Sequence, residues 1–235
     1  MLERLRSHLS ADGYARVLAG EMRDMLGAPA LAGWRDYAVS WDDLATDGFM
    51  ADGGRYRRRR YGVFEAAPGS LVRQPHQPHY QSRDYNSLNG GIERWFEPIT
   101  ETVADSGVTA GVVDLCLQAF GPLRADPGFP WRLEMHQFRI EARPGEAGQP
   151  TPEGAHRDGV DWVLVMLVAR ENIAAGVTNI FDPAGASLGA FTLTEPLDAV
   201  LIDDARVFHG VTAVEPADPS KPAYRDVLVA TFRRS

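Results

Sequence analysis

Three residues stand out for the chemistry that their types and spacing allow. His156 and Asp158 lie two apart in EGAHRDGVDWVLVMLV (153–168), directly ahead of a long apolar run, and His209 follows about fifty residues later in VFHGV. Residues i and i+2 of an extended chain project to the same side. Two imidazoles and one carboxylate on one face would hold a divalent metal and leave neighbouring positions open, the donor set of mononuclear iron sites that activate O2. Arg225 stands sixteen positions after His209, at the head of RDVLVATFRR (225–234). Its planar fork of donors suits a carboxylate. At the mouth of a strand beside the metal it is placed to clamp the 5-carboxylate of 2-oxoglutarate, whose 2-oxo acid end would chelate the iron. His156-Arg157-Asp158 also matches the catalytic-base loop of protein kinases, but the context does not. Val163 stands where that loop carries Asn, and neither a glycine-rich phosphate loop nor an Asp-Phe-Gly segment accompanies it. A plain polar turn closing at Gly159 stays open as a third reading.

These residues need strands to bring them together. From position 131 onward the sequence reads as short apolar runs split by Gly, Pro, Asp or Asn: WRLEMHQFRIEAR, VDWVLVMLVA, GVTNIFD, LGAFTLT, DAVLIDD, VFHGVTAV and RDVLVATFRR. With RYRRRRYGVF (55–64) this makes about eight strands, so the expected fold is mainly β, a sandwich or jelly roll. Residues 1–28 read as helical from Leu2, Leu5 and Leu9 and then Val17, Leu18, Met22, Met25 and Leu26, with Gly27 and Pro29 as a stop. A long polar loop (74–99) leads into a helix expected to start near Ile92, and a further helix is expected over 107–120 with Val108, Val112, Leu115 and Ala119 on one face. The expected organisation is one domain over 1–235: a helical extension (1–54) and a jelly-roll core (55–235) with a helical insert at about 92–120, the helices covering one sheet face.

Composition narrows the function classes. The 235 residues carry a net charge of −8, which disfavours nucleic-acid and anionic-membrane partners. No apolar stretch reaches the roughly 20 residues that span a bilayer, and the start lacks a signal-peptide block. The single cysteine, Cys116, excludes an intramolecular disulfide and reads as a core residue. A cytoplasmic protein is expected, with a homodimer compatible. The five arginines of 55–60 read as a strand with partly wet faces, pairing with carboxylates or meeting a small anion.

Several blocks resemble a known family. HQFRIEA (136–142), PTPEGAHRDGVDWVLVMLVARENIAAGVTNIFD (150–182), LIDDARVFHGVTAVEP (201–216), YRDVLVATFRR (224–234) and YNSLNGGIERWFEPI (85–99) are similar to the bacterial 2OG-Fe dioxygenases that include L-isoleucine 4-hydroxylase. The resemblance spans roughly 55–235. It implies a double-stranded β-helix (cupin-like jelly roll), Fe(II), and 2-oxoglutarate and O2 as co-substrates. It carries the metal ligands onto His156, Asp158 and His209 and the 2-oxoglutarate arginine onto Arg225. Relatives hydroxylate free aliphatic L-amino acids or oxidise the sulfur of methionine, so a small amino acid or derivative is the expected substrate. The same chemistry on a larger natural product or peptide, and a metal-binding sensor without turnover, are the alternatives.

Further candidates come from their positions. Arg139 on a central strand needs a carboxylate partner, from the protein or from substrate. Gln137 is a candidate for co-substrate contact, and His136 reads as a packed strand residue. His79, Tyr80 and Gln81 in the polar loop are candidates for the pocket mouth. Asn89, with Gly90 and Gly91, is expected either to cap the helix at Ile92 or to contact substrate. Trp162 would pack in the core or wall the pocket.

Overall fold

The computed structural model describes residues 1–125 and 128–234. The chain runs through α1 (Leu2–Asp12), β1 (Tyr14–Val17), α2 (Ala19–Leu31), α3 (Trp34–Val39), β2 (Ala45–Thr46), β3 (Arg57–Ala67), β4 (Ser70–Arg73), α4 (Glu101–Ala104) and α5 (Gly107–Phe120). It continues through β5 (Trp131–Ala142), β6 (Trp162–Glu171), β7 (Ile173–Ala175), β8 (Thr178–Phe181), β9 (Ser187–Phe191), β10 (Ala199–Asp203), β11 (Phe208–Val211), β12 (Val214–Pro216) and β13 (Ala223–Arg234). The major sheet has the order β1-β10-β6-β13-β5-β3-β2, with β4 beside β3. A smaller sheet, β11-β8-β9, and the pair β12-β7 complete a mainly β, jelly-roll architecture. The expected strands over 55–64 and 131–234 all form.

The two faces of the major sheet differ because strand side chains alternate with period 2. Trp131, Leu133 and Met135 of β5, Leu228, Ala230 and Phe232 of β13, and Trp162, Leu164 and Met166 of β6 face one way. They are buried with Leu5, Leu9, Met22, Val108 and Val112 from the helices. The helices therefore cover one face. α5 starts where the Ser106 side chain accepts from Thr109 N (3.0 Å). It buries Val108, Val112, Leu115 and Ala119 as expected. Cys116 is fully buried there, and burial pushes its thiol pKa up, so it is a core residue.

Three expectations change. Residues 1–28 are not continuously helical, because Gly13 ends α1 in the left-handed region (φ 77) and Tyr14–Val17 pairs with β10 as an edge strand. No helix begins near Ile92. Residues 92–100 run extended instead, with Arg94 bridged to His79 and Pro98 to Tyr61, so helix starts at Glu101. The arginine strand is drier than expected, with Arg57, Arg59 and Arg60 all buried. Its charges meet carboxylates: Arg57 meets Asp47, Arg58 meets Glu141 and Arg60 meets Asp43.

Asp198 ties the helical layer to the sheet. It accepts from Ala19 N (2.9 Å), Thr194 N (2.8 Å) and Glu195 N (3.1 Å). Burial alone would raise its pKa, but these donors and Arg16 outweigh burial and hold it below the ordinary value. A depressed carboxyl contributes stability that is present above its unfolded pKa and lost as pH falls through its folded pKa. Asp198→Asn should lower the unfolding free energy by about 1–3 kcal/mol at neutral pH. In urea titrations that difference should shrink as the pH drops below about 4.

Candidate functional site

The other face of the major sheet is where buried charge collects. Register aligns Tyr61 with His136 and His136 with Val229, then Arg59 with Phe138 and Phe138 with Val227, then Arg57 with Ile140 and Ile140 with Arg225. Apart from Tyr61, these residues floor a cavity of about 140 Å3 whose lining also includes His156, Asp158 and His209.

The triad is held by a local device that differs from the expected strand. β6 begins only at Trp162, so His156 and Asp158 precede it. His156 instead forms a reciprocal backbone pair with His209 of β11, N to O 2.9 Å in both directions. Gly210 permits this approach, since a Cβ there would lie 3.2 Å from Gly154 O and Ala155 Cα. Asp158 is set by Asp204, whose carboxylate accepts from the backbone N–H groups of Asp158 (2.9 Å), Gly159 (2.8 Å) and Val160 (3.1 Å). Arg157, between the two, reaches Ala205 O (3.4 Å) and lies over the Phe208 ring.

The side chains converge. Asp158 Oδ1 is 3.7 Å from His156 Nε2, and Asp158 Oδ2 is 3.6 Å from His209 Nε2. His156 Nδ1 donates to Gly154 O (3.0 Å), which leaves the Nε2 lone pair facing Asp158. Burial and the neighbouring His156 push His209 down to about 3, so its imidazole is neutral and its lone pair is available. Burial raises Asp158, whose only side-chain donor among the described residues is a long contact from Gln81 Nε2 (3.5 Å). His156 is raised in spite of burial because Asp158 and Glu153 stand beside it. The pocket between the three thus favours a cation, and two nitrogens with one carboxylate fit a divalent iron.

Arg225 lines the same cavity, is 2 % exposed, and its Nε and Nη2 meet no partner among the described residues. Burial and Arg170 push it down to about 10, against Asp226, so it stays charged at neutral pH. A buried guanidinium without a counter-ion is costly and calls for a carboxylate from outside the chain.

The remaining candidates divide. His79 and Gln81 line the cavity, and Tyr80 lies at its rim with 57 % exposure. Gln137 points to the opposite face because its neighbours His136 and Phe138 take the cavity side, and its Nε2 donates to Ser40 (2.8 Å). Arg139 is occupied by Asp226 in a bidentate pair (2.7 Å twice) and by Asp42 (2.7 Å). Asn89 accepts from Ala51 N (2.9 Å), with no helix for it to cap. Trp162 stacks on Phe120 in the helix-facing core (4.8 Å). None of these four lines the cavity.

Sequence reasoning missed Asp204, although the double aspartate ahead of His209 was a visible signal. It also missed the pairing of His136 with Arg59 (2.6 Å) and that of Glu134 with His79 (3.0 Å) and Arg132 (2.9 Å). His79, Glu134 and His136 form a second cluster of ligand-type atoms. Its carboxylate already has two donors and its His136 faces a guanidinium, so this cluster disfavours a cation. Burial, with Arg59 and Arg94 nearby, lowers His79 to about 4 against the pull of Glu134.

The profile of the 2OG-Fe dioxygenase family matches residues 38–231. The chain belongs to that family. L-isoleucine-4-hydroxylase of Bacillus thuringiensis is 28% identical over 156 residues, 66% of this chain and 64% of that enzyme, just under two thirds of its length. The 3(1)-hydroxy-L-isoleucine 4-dioxygenase of Pantoea ananatis is 23% identical over 241 residues, 97% of this chain and 95% of its own. The crystal structure of a bsmA homologue from Methylobium petroleophilum PM1 is similar with a TM-score of 0.90 at 38% identity, covering 100% of this chain and 93% of that one. IDO from Bacillus thuringiensis shares the fold, with a TM-score of 0.81 at 18% identity over the whole of both chains. Family membership brings Fe(II) as the metal and 2-oxoglutarate and O2 as co-substrates.

The polar loop closes over this site. Gln81 Nε2 donates to Asp158 O (3.2 Å), and the Tyr85 ring packs against Gly159. Gly159 has φ +78, and a Cβ there would lie 2.5 Å from the ring. Gly159→Ala should cost about 1–2 kcal/mol from backbone handedness alone. It should also lift the loop, read as faster amide hydrogen exchange across residues 81–91 than in the parent.

Proposed function

We propose that this dioxygenase hydroxylates, or oxidises at sulfur, a free aliphatic or sulfur-containing L-amino acid or a close derivative, with 2-oxoglutarate converted to succinate and CO2. One observation carries the reading: a single cavity contains the His156, Asp158 and His209 cluster and the unpaired Arg225 guanidinium. The relatives named for isoleucine and hydroxyisoleucine support the substrate class.

His156, Asp158 and His209 would hold the Fe(II). Bound there, Fe(II) would supply the O2 activation that couples oxidative decarboxylation of 2-oxoglutarate to oxidation of the substrate. The protein's own part is positional. Asp204 fixes the turn that presents the Asp158 carboxylate. Arg225 receives the distal carboxylate of 2-oxoglutarate and orients its other end toward the metal ligands. Val160, Val165, Val227 and Val229 give the cavity an apolar wall that suits an aliphatic side chain. The loop around Gln81 and Tyr85 keeps water from the reacting atoms.

The test is an anaerobic loading of Fe(II), followed by O2, 2-oxoglutarate and a panel of free L-amino acids. Succinate release stimulated by at least one amino acid, with a product heavier by one oxygen in mass spectrometry, is the expected result. A panel without stimulation removes the amino-acid reading. Asp158→Ala should weaken Fe(II) binding by at least about 100-fold, because a charged ligand is lost from three. Full retention of metal affinity would unseat the ligand assignment. Arg225→Gln should raise the KM for 2-oxoglutarate by about 10- to 100-fold, the scale of a lost charged hydrogen bond, with a far smaller change in kcat.

A further inference from the structure

The cavity contains more unpaired charge than 2-oxoglutarate and iron account for. Arg94, carried by the polar loop, is 2 % exposed, and its Nε and Nη2 have no hydrogen-bond partner among the described residues. Arg59 on β3 is 3 % exposed, and its Nε is likewise unpartnered. Its guanidinium lies over the rings of Phe96 (3.7 Å) and Phe138 (4.4 Å), which fixes its plane, while Nη2 contacts His136 (2.6 Å). The carboxylate serving this corner, Asp47, bonds Arg57 at 2.7 Å and stands 3.6 Å from Arg59. One carboxylate among three guanidiniums leaves a surplus of positive charge facing the cavity. Burial and the neighbouring Arg57 charge hold both Arg59 and Arg94 below the usual arginine value.

Opposite in charge, Glu153 also lines this cavity. Its Oε2 is buried with no partner among the described residues, and its Oε1 lies 3.6 Å from His156 Nε2. Arg94 and Arg59 line the same cavity as Glu153. A carboxylate with one free oxygen and two guanidiniums with free N–H groups in one desolvated space match a zwitterion.

We infer that Arg94 and Arg59 bind the α-carboxylate of the substrate and Glu153 binds its α-ammonium, forming a head-group subsite separate from the Arg225 clamp. The inference rests on the amino-acid reading above and deepens it. It selects free amino acids over N-acylated or peptide-linked ones, because an amide N–H brings no positive charge to offset the Glu153 carboxylate in a dry site. The head-group residues and the His156, Asp158 and His209 cluster line the same cavity.

The experiment is calorimetric titration, without O2, of the protein holding Fe(II) and 2-oxoglutarate. The probes are L-isoleucine, L-leucine and L-methionine, each beside its deaminated acid and its decarboxylated amine (3-methylpentanoate and 2-methylbutylamine for L-isoleucine). The parent should bind at least one amino acid about tenfold or more tightly than either analogue. Arg94→Gln should weaken that amino acid by about tenfold and bring it level with its amine. Glu153→Gln should weaken it similarly and bring it level with its deaminated acid. Each comparison is a ratio within one variant, so a general loss of fold, which weakens all ligands alike, does not reproduce it and counts against the inference. Arg94→Lys, which keeps the charge, should preserve preference for the amino acid over the amine. Amino-acid binding with both ratios unchanged overturns the head-group assignment and leaves the hydroxylase reading standing. No binding of any amino acid to the parent overturns both.

Discussion

The site depends on two backbone hydrogen bonds. His156 and His209 exchange N–H and carbonyl at 2.9 Å in each direction, so the two imidazoles are set side by side by main chain before any metal is present. Their ring centroids are 4.6 Å apart. Asp158 then has to meet them from a turn outside any strand, and the buried Asp204 carboxylate does this by gathering three consecutive N–H groups. Neither device costs stability through ligand strain. Both spend hydrogen-bonding capacity that the backbone must satisfy in any case.

The second constraint is electrostatic. The major sheet separates an apolar face under the helices from a face where guanidiniums are buried beside too few carboxylates. Taking an unpaired charge out of water costs several kcal/mol, and this face carries it at Arg225 and again around Arg59 and Arg94. A fold tolerates that only where the rest of the core is sound. Here Trp131, Phe232, Trp162 and Phe120 provide a dense aromatic cluster on the far side of the same strands. A ligand that supplied the missing negative charge would stabilise the folded chain by linkage.

Much of this was legible in the sequence, for identifiable reasons. The strands of 131–234 announce themselves because each carries its own turn residues, and the expected strand start at Arg225 falls near the start of β13. What escaped depended on contacts distant along the chain. Tyr14–Val17 is too short to read as a strand and exists because Gly13 turns the chain onto β10. Residues 92–100 hold an extended path through bridges to His79 and Tyr61, which local propensity does not encode. Arg139 and Gln137 were misjudged for opposite reasons. Gln137 follows the alternation of β5 to the helical side, whereas Arg139 is neutralised by Asp226, its direct neighbour across β13. Arg94 and Glu153 belong to loops, and only folding shows that both carry buried polar atoms without a partner.

A cavity that holds two carboxylate sites has to keep its two ligands apart. Both 2-oxoglutarate and an amino acid offer a carboxylate to a guanidinium, so arginines alone would allow either at either end. Glu153 breaks that symmetry. A 2-oxoglutarate entering at Arg94 and Arg59 would bring its second carboxylate into a space shared with Glu153 and Asp158, where like charges in a low dielectric repel. An amino acid entering there brings an ammonium for Glu153 and an uncharged side chain for the valine wall. At Arg225 the flanking residues Ile140 and Val227 offer no carboxylate to the cavity, so an ammonium has no partner and the dicarboxylate is preferred. The discrimination thus follows from where the Glu153 carboxylate lies, and the arginines supply affinity at both ends without having to tell the ligands apart.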